Sequence, residues 1–243
     1  RSSDLEKAAE VAPDAGVVAI GVGNSHHSGV AGHPVEAMAR RGLIALFVCN
    51  GPAGLAPWGG NRALYGTNPI AFACPVEGRE PLVIDLSLSK VARGKVKLAA
   101  DRAEPIPEGW AVDAEGQPTT EAVAGMAGWM VPAGDAKGAA LAMMVELLAA
   151  GLTGSSFGYE ASSFFTTEGE PPNVGQFFVV FDPAAFGGPV AAERIATLIG
   201  AIDAQPDTRL PGARRFDLRA KAKADGVEVG DGLLGELETL ARG

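Results

Sequence analysis

The sequence is poor in cysteine and in long hydrophobic runs. Its 243 residues include two cysteines, Cys49 and Cys74, and each stands inside a strand-like apolar run. Neither has the spacing of a zinc ligand, so both are interpreted as buried reduced thiols of a cytoplasmic protein. The longest apolar run, residues 138–152, contains Glu146 and is shorter than the ~20 residues of a membrane span. No secretory leader is recognised, and no membrane partner is expected.

Positive charge is also scarce. The chain has 20 lysine and arginine residues against 29 aspartate and glutamate residues, which gives a formal net charge of −9 at pH 7. This balance argues against a nucleic acid partner, because binding to phosphates requires a basic face. An anionic small molecule would have to be met by a local group of donors. Hydrophobic residues make up 47% of the chain, which is enough for a substantial core.

All three histidines, His26, His27 and His33, fall within one short stretch. The stretch follows the apolar run Val17–Ile20, which is typical of a buried strand, and it is rich in glycine and serine. Strand ends of this kind present reactive side chains to ligands, and an imidazole pKa of about 6.5 suits proton transfer. Two other interpretations remain open. One is a turn whose hydroxyl and amide side chains only cap a helix, and the other is a metal site, although no carboxylate or thiolate has matching spacing.

The histidine stretch begins like a dinucleotide-binding loop, since Gly21-Val22-Gly23 follows the strand as in the Rossmann fingerprint. The third glycine of that fingerprint is replaced by His26, whose side chain would block the close approach of a phosphate. A second apolar run, Leu43–Cys49, is followed by the loop Asn50–Gly54. Taken alone, two successive strand–helix units favour a doubly wound parallel sheet with both loops on one side.

Charged residues near the ends of predicted elements indicate further ligand contacts. Asp85 follows a strand-like run and could either contact a ligand or cap the next helix. Arg93 and Lys95 belong to the one dense positive cluster in the first half, and they are candidates for binding phosphate or carboxylate. Lys137 precedes the most apolar predicted helix, at the positive end of the helix dipole. A lysine there makes better sense if an anion shares the site.

Several motifs occur together, in this order and spacing, in one known family. They are the histidine loop, Trp58-Gly59-Gly60, Tyr65-Gly66-Thr67-Asn68-Pro69, Asp85-Leu86-Ser87, Ala92-Arg93-Gly94-Lys95, Pro107-Glu108-Gly109-Trp110, Pro118-Thr119-Thr120 and Lys137-Gly138. Over essentially its whole length the chain resembles the malate/L-lactate dehydrogenase family of the non-Rossmann type. The resemblance implies a mixed α/β (α+β) fold with a largely antiparallel sheet. It also implies a homodimer that transfers hydride between NAD(P)H and C2 of a small 2-hydroxy or 2-oxo acid, such as malate or lactate, or of an imino acid.

The resemblance assigns roles to ten positions. His27 matches the family's acid/base, and this is chemically consistent because reduction of a ketone needs a proton donor beside the oxygen. Thr67 and Asn68 match a motif near the substrate, and no metal site is implied. Contacts with the cofactor, NAD or NADP, are implied at Ser28, Gly29, Gly51, Asp85, Leu86, Ser87 and Lys137. On this resemblance Gly51 stands where the ureidoglycolate dehydrogenases of the family have a serine, and Asp85 could accept hydrogen bonds from ribose hydroxyls.

One part of the family pattern has no counterpart in the chain. Family members carry an upstream Ser-His-Gly motif followed by an arginine, which supply another catalytic histidine and a clamp for the substrate carboxylate. The chain is therefore expected to lack the family's N-terminal helical region and to catalyse poorly alone. On this interpretation residues 1–15 are a remnant of that region, 16–205 form the cofactor-binding domain, and 206–243 pack back onto the missing part. The alternative is a truncated, catalytically inactive nucleotide-binding or assembly module.

Overall fold

The computed structural model describes residues 2–166 and 169–242. The elements follow in the order α1 (Ser2–Ala15), β1 (Val17–Ser25), α2 (Gly32–Ala39), β2 (Ile44–Cys49), β3 (Ile70–Cys74), β4 (Leu82–Leu86), α3 (Arg93–Asp101), β5 (Ala111–Val112), β6 (Pro118–Thr119), α4 (Ala122–Ala127), β7 (Trp129–Met130), α5 (Ala136–Glu146), β8 (Val174–Phe181), α6 (Pro189–Asp203), α7 (Ala213–Asp225) and α8 (Asp231–Arg242). A π-helical turn, Leu147–Gly151, continues α5, and a short 3-10 turn, Pro183–Ala185, follows β8.

The central sheet has five strands in the order β1-β8-β2-β3-β4, and every neighbouring pair is antiparallel. This confirms the antiparallel sheet that the family resemblance implies. The doubly wound sheet that the strand–helix pattern of residues 17–50 favours is wrong, because β8 lies between β1 and β2 and pairs with both. β1 and β2 do run in the same direction, so the loops that follow them open at one edge of the sheet.

Both faces of this sheet are covered. Phe47 of β2 and Phe178 of β8 stack on one face, with ring centroids 4.3 Å apart, in a core that α1 and α2 complete. Val48 and Phe177, the neighbours of these residues along the strands, belong to the opposite core, which includes residues of α3, α4 and α5. Alternate residues of a strand face opposite sides, so a sheet buried on both faces needs nearly continuous apolar runs.

The limits of the larger elements agree closely with the sequence pattern. β3 spans the apolar run Ile70–Cys74, and β2 begins at Ile44, one residue after the start of the predicted run Leu43–Cys49. The apolar helix predicted to follow Lys137 begins earlier, at Ala136, and changes to a π turn after Glu146. A second sheet of three two-residue strands, β6-β5-β7, lies in a region where no strand is predicted, because strands this short carry no periodicity.

The domain limits at residues 15 and 205 stay predictions. Helix α1 packs into the first core through Leu5, Ala8 and Ala12. Helix α7 contacts α2 through arginine side chains, whereas α8 buries none of its described residues. No helix within residues 2–166 and 169–242 is both long enough and apolar enough to cross a bilayer.

A buried carboxylate joins α2 to α7. Glu36 accepts hydrogen bonds from Arg40 at 2.9 Å on its own helix and from Arg219 at 2.7 and 3.1 Å. Burial alone would raise the pKa of Glu36, but the hydrogen bonds from Arg219 and Arg40 outweigh it and lower the pKa from its ordinary value of 4.5. Folding therefore favours the ionised form. The resulting stabilisation is present above the unfolded pKa and is lost as the pH falls through the lowered pKa.

The substitution Glu36→Gln should lower the free energy of unfolding by about 1–3 kcal/mol at neutral pH, because two arginines lose their shared carboxylate. Urea denaturation of both proteins at neutral pH and again near pH 3 measures this, and the difference should shrink at the lower pH. Glu10→Gln is a matched control, because Glu10 forms a solvent-exposed ion pair with Lys7. That pair should contribute less than about 1 kcal/mol to the free energy of unfolding. An equal loss of unfolding free energy at both pH values would contradict the conclusion that folding favours the ionised form of Glu36.

Candidate active site

A cavity of about 490 Å³ opens where β1 and β2 end. Its wall is formed by the loops after β1 and β2, the turn before β3, the start of α3 and part of the segment before β8. Six of the ten predicted site residues line it, namely His27, Ser28, Gly29, Gly51, Thr67 and Asn68. They meet because β1 and β2 point to the same edge of the sheet.

The imidazole of His27 is held in a defined orientation. Its Nδ1 atom accepts a 2.9 Å hydrogen bond from the backbone N–H of Gly29. Phe164 packs edge-on against the ring with centroids 5.1 Å apart, and the same phenyl ring lies 5.2 Å from the ring of His26. When Nδ1 accepts a hydrogen bond, the proton of the neutral ring is on Nε2. The side chain can therefore offer an N–H group to an oxygen atom in the cavity.

The two loops at the strand ends are in direct contact. The Oγ atom of Ser28 lies 3.2 Å from Sγ of Cys49, the last residue of β2. At Gly51 an added Cβ atom would come within 3.2 Å of the Phe164 ring, which is tighter than ordinary packing. The glycine thus permits the close approach of Phe164.

Arg93 brings a positive charge to the cavity. Arg93 donates to the carbonyl oxygen of Ala53 and, at 3.1 Å, to that of Met126. Among the described residues no acidic group forms an ion pair with it, and its Nε atom is buried without a hydrogen-bond partner. Burial lowers the pKa of Arg93, yet a guanidinium stays protonated in proteins. The side chain is therefore suited to bind a carboxylate, sulfonate or phosphate group.

A buried carboxylate lies behind the cavity wall. Glu146 is 3% exposed and accepts hydrogen bonds from Asn50 Nδ2 at 2.9 Å, from Asn68 Nδ2 at 2.6 Å and from the backbone N–H of Gly158 at 2.5 Å. Burial raises the pKa of Glu146, although these hydrogen bonds and one from the backbone of Gly66 oppose the rise. Each of these neighbours presents a donor, which is the arrangement that an ionised carboxylate requires.

Asp85, predicted to contact the cofactor, is engaged by protein groups. Its Oδ2 atom accepts hydrogen bonds from the backbone N–H of Gly32 and from Arg215, both at 2.8 Å. Gly32 is the first residue of α2, so the carboxylate accepts from the N-terminus of that helix. The alternative interpretation, in which Asp85 caps the next helix, is wrong, because the N-cap of α3 is Ala92. The helix that Asp85 contacts is an earlier one in the chain and not the next one, because β4 lies beside the start of α2 in the folded sheet.

The last three predicted contacts lie on neighbouring surface segments outside the 490 Å³ cavity. Leu86 is 46% exposed, and Ser87 Oγ accepts a 3.1 Å hydrogen bond from Ser89. Lys137 is exposed in the first turn of α5. Backbone hydrogen bonds of 2.7 and 2.8 Å join residues 88–90 to residues 131–133, so the two segments run side by side.

A second cavity, of about 760 Å³, shares Ser28 and Gly29 with the first. Three arginines line it, Arg41, Arg215 and Arg219. The Nη1 atom of Arg215 is buried and has no hydrogen-bond partner among the described residues. Phe47 and Phe178 add an apolar surface. The cavity thus combines an apolar wall with positive charge, in a chain whose net charge is −9.

Sequence reasoning alone misses Glu146, Arg215 and Phe164. A single charge inside an apolar run was the available signal for Glu146, and a basic run over 214–223 was the signal for Arg215. Phe164 gives no local signal, because its role depends on a long segment that returns to the histidine loop. Residues 2–166 and 169–242 contain no group of three or more metal-ligating side chains that could hold an ion.

The fold and the cavity define the class of protein. It is an α+β protein with an antiparallel central sheet in place of a Rossmann sheet, with an imidazole and a guanidinium in one cleft at the sheet edge. The chain belongs to the malate/L-lactate dehydrogenase family, whose model matches residues 2–238.

Relatives of known activity agree with this family. The chain is 57% identical over 237 residues to a (2R)-3-sulfolactate dehydrogenase (NADP(+)) from Chromohalobacter salexigens, a match that covers 98% of the chain and 71% of the relative. It is 41% identical over 234 residues to a Δ1-pyrroline-2-carboxylate/Δ1-piperideine-2-carboxylate reductase from Pseudomonas putida, covering 94% of the chain and 67% of that protein.

Solved structures show the same fold. The Δ1-piperideine-2-carboxylate reductase from Pseudomonas syringae superposes with a TM-score of 0.91 at 38% identity, over 98% of this chain and 72% of that one. The sulfolactate dehydrogenase from Methanocaldococcus jannaschii superposes with a TM-score of 0.88 at 29% identity, over 99% of this chain and 70% of that one.

These comparisons confirm the family resemblance drawn from the motifs. The chain is an NAD(P)-dependent oxidoreductase of the family, of the kind that transfers hydride to or from small acids. The comparisons do not support the expectation that an N-terminal region of the family is missing. The roles of individual residues stay predictions.

Proposed function

We propose that the protein is an NADP-dependent oxidoreductase that interconverts a small 2-hydroxy acid and its 2-oxo acid, or reduces a cyclic 2-imino acid. One observation carries the proposal. His27, a hydrogen-bond donor, and Arg93, a cation without an acidic partner among the described residues, line the same 490 Å³ cavity. A 2-oxo acid offers the two groups that these side chains need, an oxygen on C2 and an adjacent carboxylate.

Each cavity residue has a distinct part in this proposal. Arg93 binds the carboxylate of the substrate, and Thr67 and Asn68 contact the substrate from the opposite loop. His27 donates from Nε2 to the oxygen on C2, where negative charge develops during reduction. The nicotinamide cofactor, when bound, supplies the hydride. To transfer a proton in either direction, His27 must give up the hydrogen bond from Gly29, because the imidazolium that protonates the oxygen and the neutral ring that takes the proton back at Nε2 both carry a proton at Nδ1.

The residues present fit a phosphorylated dinucleotide. Ser28 and Gly29 belong to both cavities, so one extended ligand in contact with them can reach both. The buried Nη1 atom of Arg215 lacks a partner among the described residues, and Asp85 holds the same guanidinium in place through Nη2. We assign the phosphate-bearing end of the cofactor to this larger cavity. Gly51, Leu86, Ser87 and Lys137 stay proposed cofactor contacts.

The proposed function is tested by turnover assays of the purified protein. NADPH and NADH are each combined with 3-sulfopyruvate, oxaloacetate, pyruvate and Δ1-pyrroline-2-carboxylate, and cofactor oxidation is followed by absorbance. We expect saturable turnover of at least one acid, with NADPH preferred. Saturable NADPH binding without turnover of any of them would favour the inactive nucleotide-binding module, and the absence of both would refute the proposal.

The cofactor assignment predicts that Arg215→Met weakens NADPH binding about tenfold to a hundredfold, because a charged hydrogen bond to phosphate contributes about 1.5–3 kcal/mol. NADH binding should change much less. Fluorescence titration with each cofactor measures both dissociation constants. Arg214→Met is the matched control, since Arg214 is exposed and lines neither cavity. Equal weakening of both cofactors would contradict a contact specific to the additional phosphate.

A homodimeric assembly and a cytoplasmic location remain predictions that rest on the family resemblance and on the reduced cysteines. Sedimentation of the purified protein tests the first of them.

A further inference from the structure

Glu146 occupies a structural junction. It is the last residue of α5 and the residue before the π-helical turn Leu147–Gly151. Such π turns within helices occur frequently at functional sites, because they rotate one side chain out of the regular helical register. Here the carboxylate stands beneath the wall of the 490 Å³ cavity, and three of its hydrogen-bond donors belong to residues that line that cavity: Asn50, Asn68 and Gly158.

The carboxylate sets the orientation of both asparagine amides. Asn68 Nδ2 donates to Glu146 at 2.6 Å and to the carbonyl oxygen of Ala142 at 2.8 Å, which uses both of its N–H groups. Asn50 Nδ2 donates to Glu146 at 2.9 Å and to the carbonyl oxygen of Ser156 at the same distance. Neither amide can turn over without losing these bonds.

The orientation of Asn68 is maintained although two features of this residue cost free energy. Its Oδ1 atom is buried without a hydrogen-bond partner among the described residues, and its backbone φ is +40°. A buried acceptor without a partner and a left-handed φ at a residue other than glycine both cost free energy. Such costs persist at functional sites when the surrounding structure imposes them. Here Glu146 and the carbonyl oxygen of Ala142 hold the amide that carries these costs.

We propose that Glu146 is a positioning residue for hydride transfer: its buried carboxylate holds Asn50, Asn68 and the backbone of Gly158 in the geometry that orients the substrate. The inference rests on the proposed function, because it assigns the substrate to this cavity. Glu146 does not touch the substrate. It acts through Asn50, Asn68 and Gly158, which line the cavity.

Glu146→Gln is the informative variant, because it keeps the size of the side chain and replaces one acceptor oxygen by an N–H₂ group. Where that group faces Asn68, the pair can restore a hydrogen bond only if the Asn68 amide turns over, which brings the partnerless Oδ1 toward the glutamine. The chain should therefore fold, with a changed cavity wall. A misplaced substrate lowers kcat, because the reacting atoms must be held in near-attack geometry.

The experiment compares the wild-type protein, Glu146→Gln and Glu146→Asp in kcat and KM for the acid that is turned over, in NADPH dissociation constant and in unfolding temperature. We expect kcat of Glu146→Gln to fall about tenfold or more, with NADPH affinity within about threefold and an unfolding temperature within about 4 °C. Glu146→Asp retains a carboxyl acceptor and should recover part of kcat. Met143→Gln, a half-exposed position on α5, is the matched control and should leave kcat unchanged.

Two results would overturn this inference while the proposed function stands. One is a Glu146→Gln protein with wild-type kcat and KM. The other is a variant that loses NADPH affinity, unfolding temperature and kcat together, with no recovery in Glu146→Asp, since that outcome indicates a merely structural role. A wild-type protein that turns over none of the acids would refute the proposed function, and this inference would fall with it.

Discussion

The variant His27→Ala should lose about 10²–10⁴-fold in kcat for reduction of the 2-oxo acid, the range that a positioned proton donor contributes. The imidazole lines the cavity, and once Nδ1 is protonated and the hydrogen bond from Gly29 is released, Nε2 can transfer its proton to the oxygen on C2 and leave the neutral ring. NADPH affinity should stay within a few-fold of the wild-type value. Steady-state kinetics and a fluorescence titration measure the two quantities separately.

His27→Gln separates two mechanisms at this position. A glutamine retains an N–H donor but cannot transfer a proton at neutral pH. If His27 works as an acid/base, both variants should be equally slow. Near wild-type kcat in His27→Gln would mean that the side chain only donates a hydrogen bond, and wild-type kcat in both would remove His27 from the site. His33→Ala is a control for kcat alone on the same chain segment, because His33 lines the 760 Å³ cavity assigned to the cofactor and not the 490 Å³ cavity.

Replacement of Arg93 should have the second large effect. Arg93→Met removes the guanidinium proposed to bind the substrate carboxylate, and KM for the 2-oxo acid should rise about tenfold to a hundredfold, as expected for a charged hydrogen bond of about 1.5–3 kcal/mol. Arg93→Lys keeps the charge without the planar fork and should recover only part of the affinity. Initial rates over a range of acid concentrations at saturating NADPH provide the measurement.

A control variant and a stability measurement test whether the effect of Arg93→Met comes from lost binding of the substrate carboxylate. Lys95→Met removes a positive charge from an exposed position on the same helix that does not line the cavity, and it should leave KM unchanged. The carbonyl oxygens of Ala53 and Met126 also lose a donor in Arg93→Met, so the unfolding temperature is recorded for every variant. A rise in KM for NADPH alone, with the acid unaffected, would place the guanidinium at the cofactor.

The site is predicted from the sequence wherever its residues form a local motif. His27, Ser28 and Gly29 follow a strand directly, and Thr67 and Asn68 stand together before another, so motif and strand end identify them in one dimension. Arg93 is recognised as a candidate anion-binding group because positive charge is rare in the first half of the chain. Its burial, and the lack of an acidic partner among the described residues, come from packing against Ala53 and Met126.

The other site residues depend on contacts between distant segments. Glu146 is separated from Asn50 by 96 positions and from Asn68 by 78, and no local pattern relates them. For Asp85 the local sequence indicates a role but does not identify the partners. Its position after a strand indicates a ligand contact or a cap, and only the folded chain brings it to Gly32 and Arg215, 53 and 130 positions away.

The sequence by itself determined the class of each large element, the edge at which the site lies and the family, because hydrophobic periodicity and short motifs are local properties of the chain. The tertiary structure decided the strand order and the partners of the charged groups. β8 lies between β1 and β2, where its two faces pack into the two cores. This packing joins segments far apart in the chain, so local periodicity does not predict it. Tertiary packing also places Glu146 behind the cavity and Arg93 beside it, where burial and hydrogen bonding determine what these two charged groups can bind.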